Sequence, residues 1–381
     1  MLGEGGMSAP VLLVLGWTVL ATGFSAVTLA RLMRMRTGRA ARTPSTARVL
    51  LLRPVDAPTP RELENLALPI DYAGELEQVV VSPYRPRLGP DVRWLPSDPL
   101  TPNRKVGHLL YALSVLPTEG RVVLAVDADV AVTGALVEGL VAPLLAGAAL
   151  STAAPTPVDA RDGAGRAMAG LLRYTHHSFL ALHAMSAGAP AVCGKALGLS
   201  AEARASLESL ADHIGEDLEL SKRLHARGLD VALSAAPAVV PLGEVGSWDI
   251  PLSRFTRWMR VLASHRPGLY PTVPLLFTPT VPLVLCAALL GSPVLSAAVA
   301  LLVAVRAALA HRLGVLGAPQ GPVPGRGRAW TDWLLGEVLL LAAFAVSLGR
   351  QGTVTWRGRT YTLLRGGRMV RVSPELTGGP G

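Results

Sequence analysis

The chain has only two cysteines among its 381 residues, Cys193 and Cys286. They provide neither a disulfide framework nor a metal-binding spacing, and a reducing compartment is compatible with that. No internal repeat is visible, which excludes a solenoid. No nucleic-acid-binding motif accompanies the net charge of +9, so the charge does not point to nucleic acid. Basic residues are also missing ahead of the first apolar run, where Glu4 is the one charged residue. A cleaved signal peptide would carry its positive charge there, so the run reads as an uncleaved anchor.

Apolar sequence is abundant: half of the residues are hydrophobic and the mean hydropathy is +0.40. That is too apolar for an ordinary soluble enzyme, yet too interrupted by polar sequence for a simple membrane bundle. Residues 11–30 are uncharged over a length that can cross a bilayer, and the arginine-rich stretch RLMRMRTGRAAR follows. Basic flanks stay inside, so the expectation is an anchor over 10–31 with its N-terminus outside and a cytoplasmic domain beyond it. The arginines gather beside this anchor and in the tail, where they read as topology signals and contacts to anionic lipid head groups.

Between residues 48 and 266, strand-like runs (ARVLLL, LEQVVVS, RVVLAVD, AALSTA) alternate with helical spacing (RELENLAL, KVGHLLYALSVL, GRAMAGLLRYTHHSFLALHAM, EDLELSKRLHARG). This alternation predicts one α/β domain with a doubly wound, mainly parallel sheet. TPVDARDGAGR, residues 156–166, reads as a turn-rich loop. From 271 to 349 the sequence is again apolar, interrupted by a Gly/Pro loop at 311–331, and a basic tail occupies 350–381. A tail this basic belongs inside. One apolar segment therefore does not span: either the proline-rich 272–291 is interfacial or re-entrant, or 333–349, which carries Glu337, lies along the membrane surface.

Three short segments carry chemistry. RVVLAVDADVAV ends an apolar strand on Asp127 and Asp129, hard oxygen ligands at the sheet rim where α/β folds place their ligand crevice. A solvated turn would look the same. In GEDLELSKRL, Glu216 and Asp217 open a helix whose N-terminal dipole would keep Asp217 ionised as a general base, or Asp217 caps the helix and does no more. In RFTRW, Arg254 and Arg257 share a helix face and can grip a diphosphate, with Trp258 beside them as a flat surface. The same segment also reads as an interfacial helix with its tryptophan in the aromatic belt. Tyr174, His176 and His177 can face core or ligand, and a satisfied core or surface position is the commoner case.

In this order, and together with LLRPVDA, LENLALPIDY, PNRKVGHL, VCGKALGLS and the closing WRGRTYTLLRGG, these motifs resemble the ceramide glucosyltransferase-like enzymes of glycosyltransferase family 2, which include bacterial relatives of hopanoid biosynthesis. The resemblance implies a GT-A fold and an inverting transfer of a hexose from a UDP-sugar to a hydroxyl of a membrane lipid, such as a ceramide or hopanoid, at the cytoplasmic face of the bilayer. Carried over by position, Asp129 would hold Mg²⁺ or Mn²⁺, Asp127 would help it or contact the ribose, and Asp217 would be the catalytic base. Lys105, Ser82, Arg254, Arg257 and Trp258 would bind the donor, and Gly194, Glu216 and Trp258 would face the acceptor. There is one departure. Where the family has an Asp to read the uracil, this chain has Ser82, Pro83 and Tyr84. Two other readings stand beside this one: a transferase acting on polyprenyl phosphate or polysaccharide, and a membrane scaffold that keeps the fold without the activity.

Overall fold

The computed structural model describes residues 7–34, 45–186, 190–316, 326–349, 352–356 and 359–372. The arginine run at 35–42, the middle of the 311–331 loop and tail residues 350–351, 357–358 and 373–381 lie outside the described residues. The first elements are helix α1 (Ala9–Arg34), strand β1 (Val49–Pro54), α2 (Pro60–Leu66), β2 (Leu76–Ser82), β3 (Arg93–Pro96), α3 (Arg104–Val115), β4 (Val122–Val126), α4 (Gly134–Leu145), β5 (Leu150–Thr152) and β6 (Pro155–Ala160). They continue with α5 (Gly163–Ser186), β7 (Ala196–Leu199), α6 (Ala201–Leu207), α7 (Glu216–Ala226), β8 (Val231–Leu233), β9 (Ala238–Gly243) and α8 (Asp249–His265). A π-turn (Val273–Phe277), α9 (Thr280–Leu290), α10 (Pro293–Leu316), α11 (Arg326–Leu348) and the tail strands β10 (Thr353–Trp356), β11 (Arg359–Leu363) and β12 (Met369–Arg371) follow.

The central sheet has the order β3-β2-β1-β4-β7-β5-β8. β1 and β4 are buried almost throughout because both sheet faces are covered, which is why they read as unbroken apolar runs. Side chains alternate between two layers: Leu50 and Leu52 of β1 join α3 and α7 on one face, while Val49 and Leu51 join α4 on the other. Every neighbouring pair runs parallel except at β7, which is antiparallel to both β4 and β5. The reversal matters for the site, because it sets the start of β7 beside the end of β4, and Asp127 donates its backbone N–H to the Lys195 carbonyl at 2.8 Å. The expected loop at 156–166 needs correcting. Its first part continues β6, paired in parallel with β9 as a separate ribbon. Pro155 and Pro157 are tolerated there because a two-stranded ribbon leaves one side of each strand free of ladder bonds.

Among the described residues three helices, α1, α10 and 328–348 of α11, are long and apolar enough to cross a membrane. α1 and α10 run in the same direction: Val14 and Ala21 share a core with Leu295 and Leu302, Arg306 Nε lies 3.2 Å from Ser25 Oγ, and Arg312 donates to the Leu32 carbonyl at 3.5 Å. α9, which turns into α10 at Gly291 (φ 61°), therefore runs against both. α11 packs chiefly against α5 and α8 of the catalytic half. Arg328 donates to the Ala160 carbonyl at 3.1 Å, and Asp332 accepts from Arg166 at 2.8 Å. Just beyond its far end, the Thr353 carbonyl accepts from Arg260 at 3.2 Å. At the level where these helices meet, Glu337 accepts from Arg306, Trp333 and Thr280, so its buried charge is paired and its oxygens satisfied.

Candidate active site

The DAD turn is shaped from behind by an arginine. Arg53, fully buried in β1, donates to the carbonyls of Val126 (3.1 Å), Asp127 (3.1 Å) and Val130 (2.7 Å), fixing the backbone where β4 ends and the two carboxylates emerge. Asp127 receives Lys105 Nζ on Oδ1 at 2.8 Å. One oxygen of Asp129 takes the Lys195 ammonium and has Arg254 at 3.8 Å, while Oδ1 is buried without a hydrogen-bond partner among the described residues. Burial alone would raise the Asp129 pKa, but Lys195 and then Arg254 outweigh it and hold the carboxyl below its ordinary range.

Lys105 ties this pair to the second motif. It is placed at the start of α3, whose N-cap Asn103 accepts from the Val106 N–H at 3.2 Å. Its ammonium also donates to the Gly194 carbonyl at 2.5 Å and lies 3.2 Å from Glu216 Oε1. Burial would lower its pKa, yet Asp127 and Glu216 raise it above the ordinary value, so it stays charged. Glu216, expected on the acceptor side, is thus engaged with Lys105 and also accepts from Asn103 Nδ2 at 3.0 Å.

Asp217 sits one residue into α7, behind Gly215 in a left-handed conformation (φ 71°) that suits glycine. Its Oδ2 accepts from the Gly194 N–H at 2.7 Å and Oδ1 from the Leu218 N–H at 2.9 Å. Besides the helix dipole expected to keep it ionised, burial and a neighbouring charge act on this carboxyl. Burial and then the neighbouring Glu216 push it up to about 6, against the opposing pull of Lys105 and the two backbone amides.

One cavity of about 550 Å³ collects these groups, and Lys105, Asp127, Asp129, Gly194, Lys195, Glu216, Asp217, Arg254, Arg257 and Trp258 all line it. Burial, and then Arg254, lower the Arg257 guanidinium to about 10, so it remains a cation with a like charge for a neighbour. Such a pair favours an anion between its members. Arg254 also lies over the Trp258 ring at 5.9 Å. Apolar side chains that pack together line the cavity as well, Leu172 and Phe179 of α5, Met259 and Leu262 of α8, and Leu340 of α11, with Arg266 also in the lining.

Ser82 is not brought to this site. It lies outside the cavity lining, and its buried hydroxyl donates to the Tyr84 carbonyl at 2.8 Å and accepts from Trp94 Nε1 at 3.1 Å. Conversely, Lys195, Arg53 and Asn103 belong to the site's structure and were not singled out by motif reading. Lys195 stands next to Gly194 inside VCGKALGLS, and a lone cation in an apolar strand was the available signal. Cys193 also lines the cavity, and burial pushes its thiol up to about 11, which keeps it unreactive.

The described residues contain no cluster of three or more acidic, histidine or cysteine ligands. Two carboxylates one residue apart, with one buried oxygen unpartnered, nevertheless fit a hard divalent cation that takes its remaining ligands from water and a diphosphate.

Residues 94–369 match the profile described as Glycosyl transferase family 21, well over half of the chain. No curated protein matches the chain. Among solved structures, the mannosyltransferase PcManGT from Pyrobaculum calidifontis, in complex with GDP-Man and Mn²⁺, aligns over 89% of this chain and 99% of its own at 16% identity, with a TM-score of 0.46. So weak a likeness carries neither donor nor metal across.

Proposed function

The chain belongs to glycosyl transferase family 21, and we propose that it moves a hexose from a UDP-sugar to a hydroxyl of a membrane lipid with inversion at the anomeric carbon. The observation that carries this reading is one cavity lined both by cations and carboxylates and by apolar faces of α5, α8 and α11. A nucleotide sugar suits the first and a lipid stem the second. A polysaccharide acceptor would want polar walls throughout.

In this reading Asp217 takes the proton of the acceptor hydroxyl, and a carboxylate whose pKa is raised to about 6 is a stronger base than an ordinary one while still ionised at neutral pH. Gly194 holds that carboxylate through its N–H while its carbonyl steadies Lys105. Lys105, Lys195, Arg254 and Arg257 surround the place where diphosphate charge develops as UDP leaves. Mg²⁺ or Mn²⁺ held by Asp127 and Asp129 would supply further Lewis-acid neutralisation of that diphosphate. The apolar walls exclude water that would otherwise hydrolyse the donor.

Helix directions support the following membrane placement. α1 and α10 cross from outside to inside, and the segment from Val273 to Leu290 carries the chain outward between them. α9 alone, with 11 residues, reaches about 16 Å, and the π-turn before it lengthens that path toward the hydrocarbon thickness. α11 lies along the cytoplasmic boundary, because its Leu340 lines the catalytic cavity. Catalytic domain and tail then share the cytoplasm. Cysteines introduced at Pro293, Glu119 and Thr355, all exposed, test this with an impermeant reagent. Labelling in intact cells is expected at position 293 alone, and labelling at 355 without 119 would place α11 across the bilayer.

The reaction itself is tested by incubating membranes with labelled UDP-glucose, UDP-galactose and UDP-N-acetylglucosamine and extracting lipids. Label from one donor should appear in a single lipid class. Label confined to polymer or to polyprenyl phosphate would overturn the proposal.

A further inference from the structure

The tail sheet seats on the residues that lead into the second carboxylate motif. Its buried side chains, Val354, Tyr361, Leu363 and Met369, form one cluster with Ile214 and with Val261 of α8, and Leu218 of α7 packs against them. The backbone is joined at the same place. The Ile214 N–H donates to the Gly367 carbonyl at 2.8 Å, the Met369 N–H donates to the Asp212 carbonyl at 2.7 Å, and His213 pairs antiparallel with Arg368. Arg368 Nε also meets the Asp212 carboxylate at 2.8 Å. Segment 212–214 runs directly into Gly215, Glu216 and Asp217, and Ile214 itself lines the catalytic cavity.

Two side chains hold that segment from its other sides: Asn103 Nδ2 donates to the His213 carbonyl at 2.8 Å, and His265 Nε2 donates to the Ile214 carbonyl at 2.7 Å. A carbonyl only accepts, so His265 carries a proton on Nε2. Its side chain is wholly buried, and its Nδ1 faces Glu219 at 3.6 Å, whose carboxylate is taken up by Lys222 and Arg223. Gly367 is fitted to this contact. Its φ is 81°, and a Cβ there would collide with His265 Nε2 and the Ile214 carbonyl oxygen. We propose that tail residues 365–369 and His265 are positioning elements for the reaction, clamping segment 212–214 between them and so fixing where Asp217 presents its carboxylate. The inference rests on the reading of Asp217 as the base and deepens it, because it makes the tail part of the active-site architecture. Asp217 takes hydrogen bonds from the backbone N–H groups of Gly194 and Leu218, so its carboxylate moves when the start of α7 moves relative to Gly194. A displacement of about 1 Å in a reacting group can cost about a hundredfold in rate.

The test uses the full chain in its membranes, with whichever of labelled UDP-glucose, UDP-galactose and UDP-N-acetylglucosamine labels extracted lipid. Gly367→Ala and His265→Leu should each lower kcat about tenfold to a hundredfold with donor KM unmoved. His265→Gln, whose amide can donate to the same carbonyl, should recover most of the His265→Leu loss. Combination with Asp217→Asn separates positioning from folding: if the clamp acts through the base, either clamp substitution should cost less than about twofold once that carboxylate is gone. Losses that multiply in the double variants, or a donor KM that rises as kcat falls, would overturn the inference and leave the tail a fold element alone. Should Gly367→Ala fail to accumulate in membranes, the two His265 variants and their combinations with Asp217→Asn decide the matter. Full kcat in Asp217→Asn would defeat the base reading, and this inference with it. A loss in Asp217→Asn beside multiplying losses would defeat this inference alone.

Discussion

The two linings of the cavity are built in different ways. In the polar one, residues from separate segments form a chain of charges in which Asp127, Lys105, Glu216 and Asn103 are linked by contacts of 2.8–3.2 Å. In the apolar one no such chain exists among the described residues, and His176 is a buried polar atom without a partner among helix faces. The first is organised for one kind of chemistry on a compact, highly charged group. The second is organised by shape, as a site for a long flexible stem should be. Damage should differ accordingly: changes in the polar lining reduce kcat, whereas changes in the apolar lining raise acceptor KM.

The largest effect is expected from Asp129→Ala, together with chelation of divalent metal in the wild type, each lowering transfer on the order of a thousandfold through loss of charge neutralisation at the diphosphate. Restored activity on adding Mg²⁺ or Mn²⁺ after chelation completes that test, and full activity without metal would remove the cation from the polar lining. Next comes Asp217→Asn, which keeps the hydrogen bond from Gly194 but not the basicity. A fall in kcat of about a hundredfold or more with UDP binding intact is expected in steady-state assays. Unfolding in its place would make the residue a helix cap and nothing further.

A pH profile probes the same group without mutation. Because burial and Glu216 raise Asp217 to about 6, the competent, deprotonated form is lost as pH falls through that value, and kcat should drop by about tenfold per unit below it. A profile flat down to pH 5 would put the base elsewhere. The smallest effect belongs to the other lining. Leu340→Trp narrows the cavity at its apolar wall, so acceptor KM should rise about threefold to tenfold with donor KM unmoved, the scale of overpacking a well-filled site. A change in donor KM would show that the two linings are not separable.

How much of this was legible follows the same division. Asp127, Asp129, Asp217, Arg254 and Arg257 could be picked out because each is tied to a local signal, a strand end or a helix turn, and the cavity holds them all. The buried strands β1, β2 and β4 were equally plain, since a sheet covered on both faces writes itself as apolar runs. The antiparallel β7 was not, because strand direction is set by pairing and leaves no trace in four residues of ALGL. Lys195 gains its partner only through that reversal. That Ser82 stands outside the cavity lining was not legible, because nothing in VVVSPYRP shows that Trp94, on the neighbouring strand, would claim its hydroxyl. The raised pKa of Asp217 was hidden for a similar reason, being a sum of burial and a neighbour that motif reading treats separately. The apolar lining left no motif at all, since that wall is shared among three helices far apart in sequence.

That wall can be probed with the acceptor itself. A long-chain alcohol bearing a diazirine in its stem, photolysed on the full chain in nanodiscs with UDP present, reports directly on where the acceptor lies. Crosslinked peptides are expected from α5, α8 and α11, including Met259 and Leu340, and they should disappear when excess unlabelled acceptor is added. Crosslinks confined to the outer faces of α1 and α10, unchanged by competitor, would contradict a single cavity that joins sugar donor to lipid.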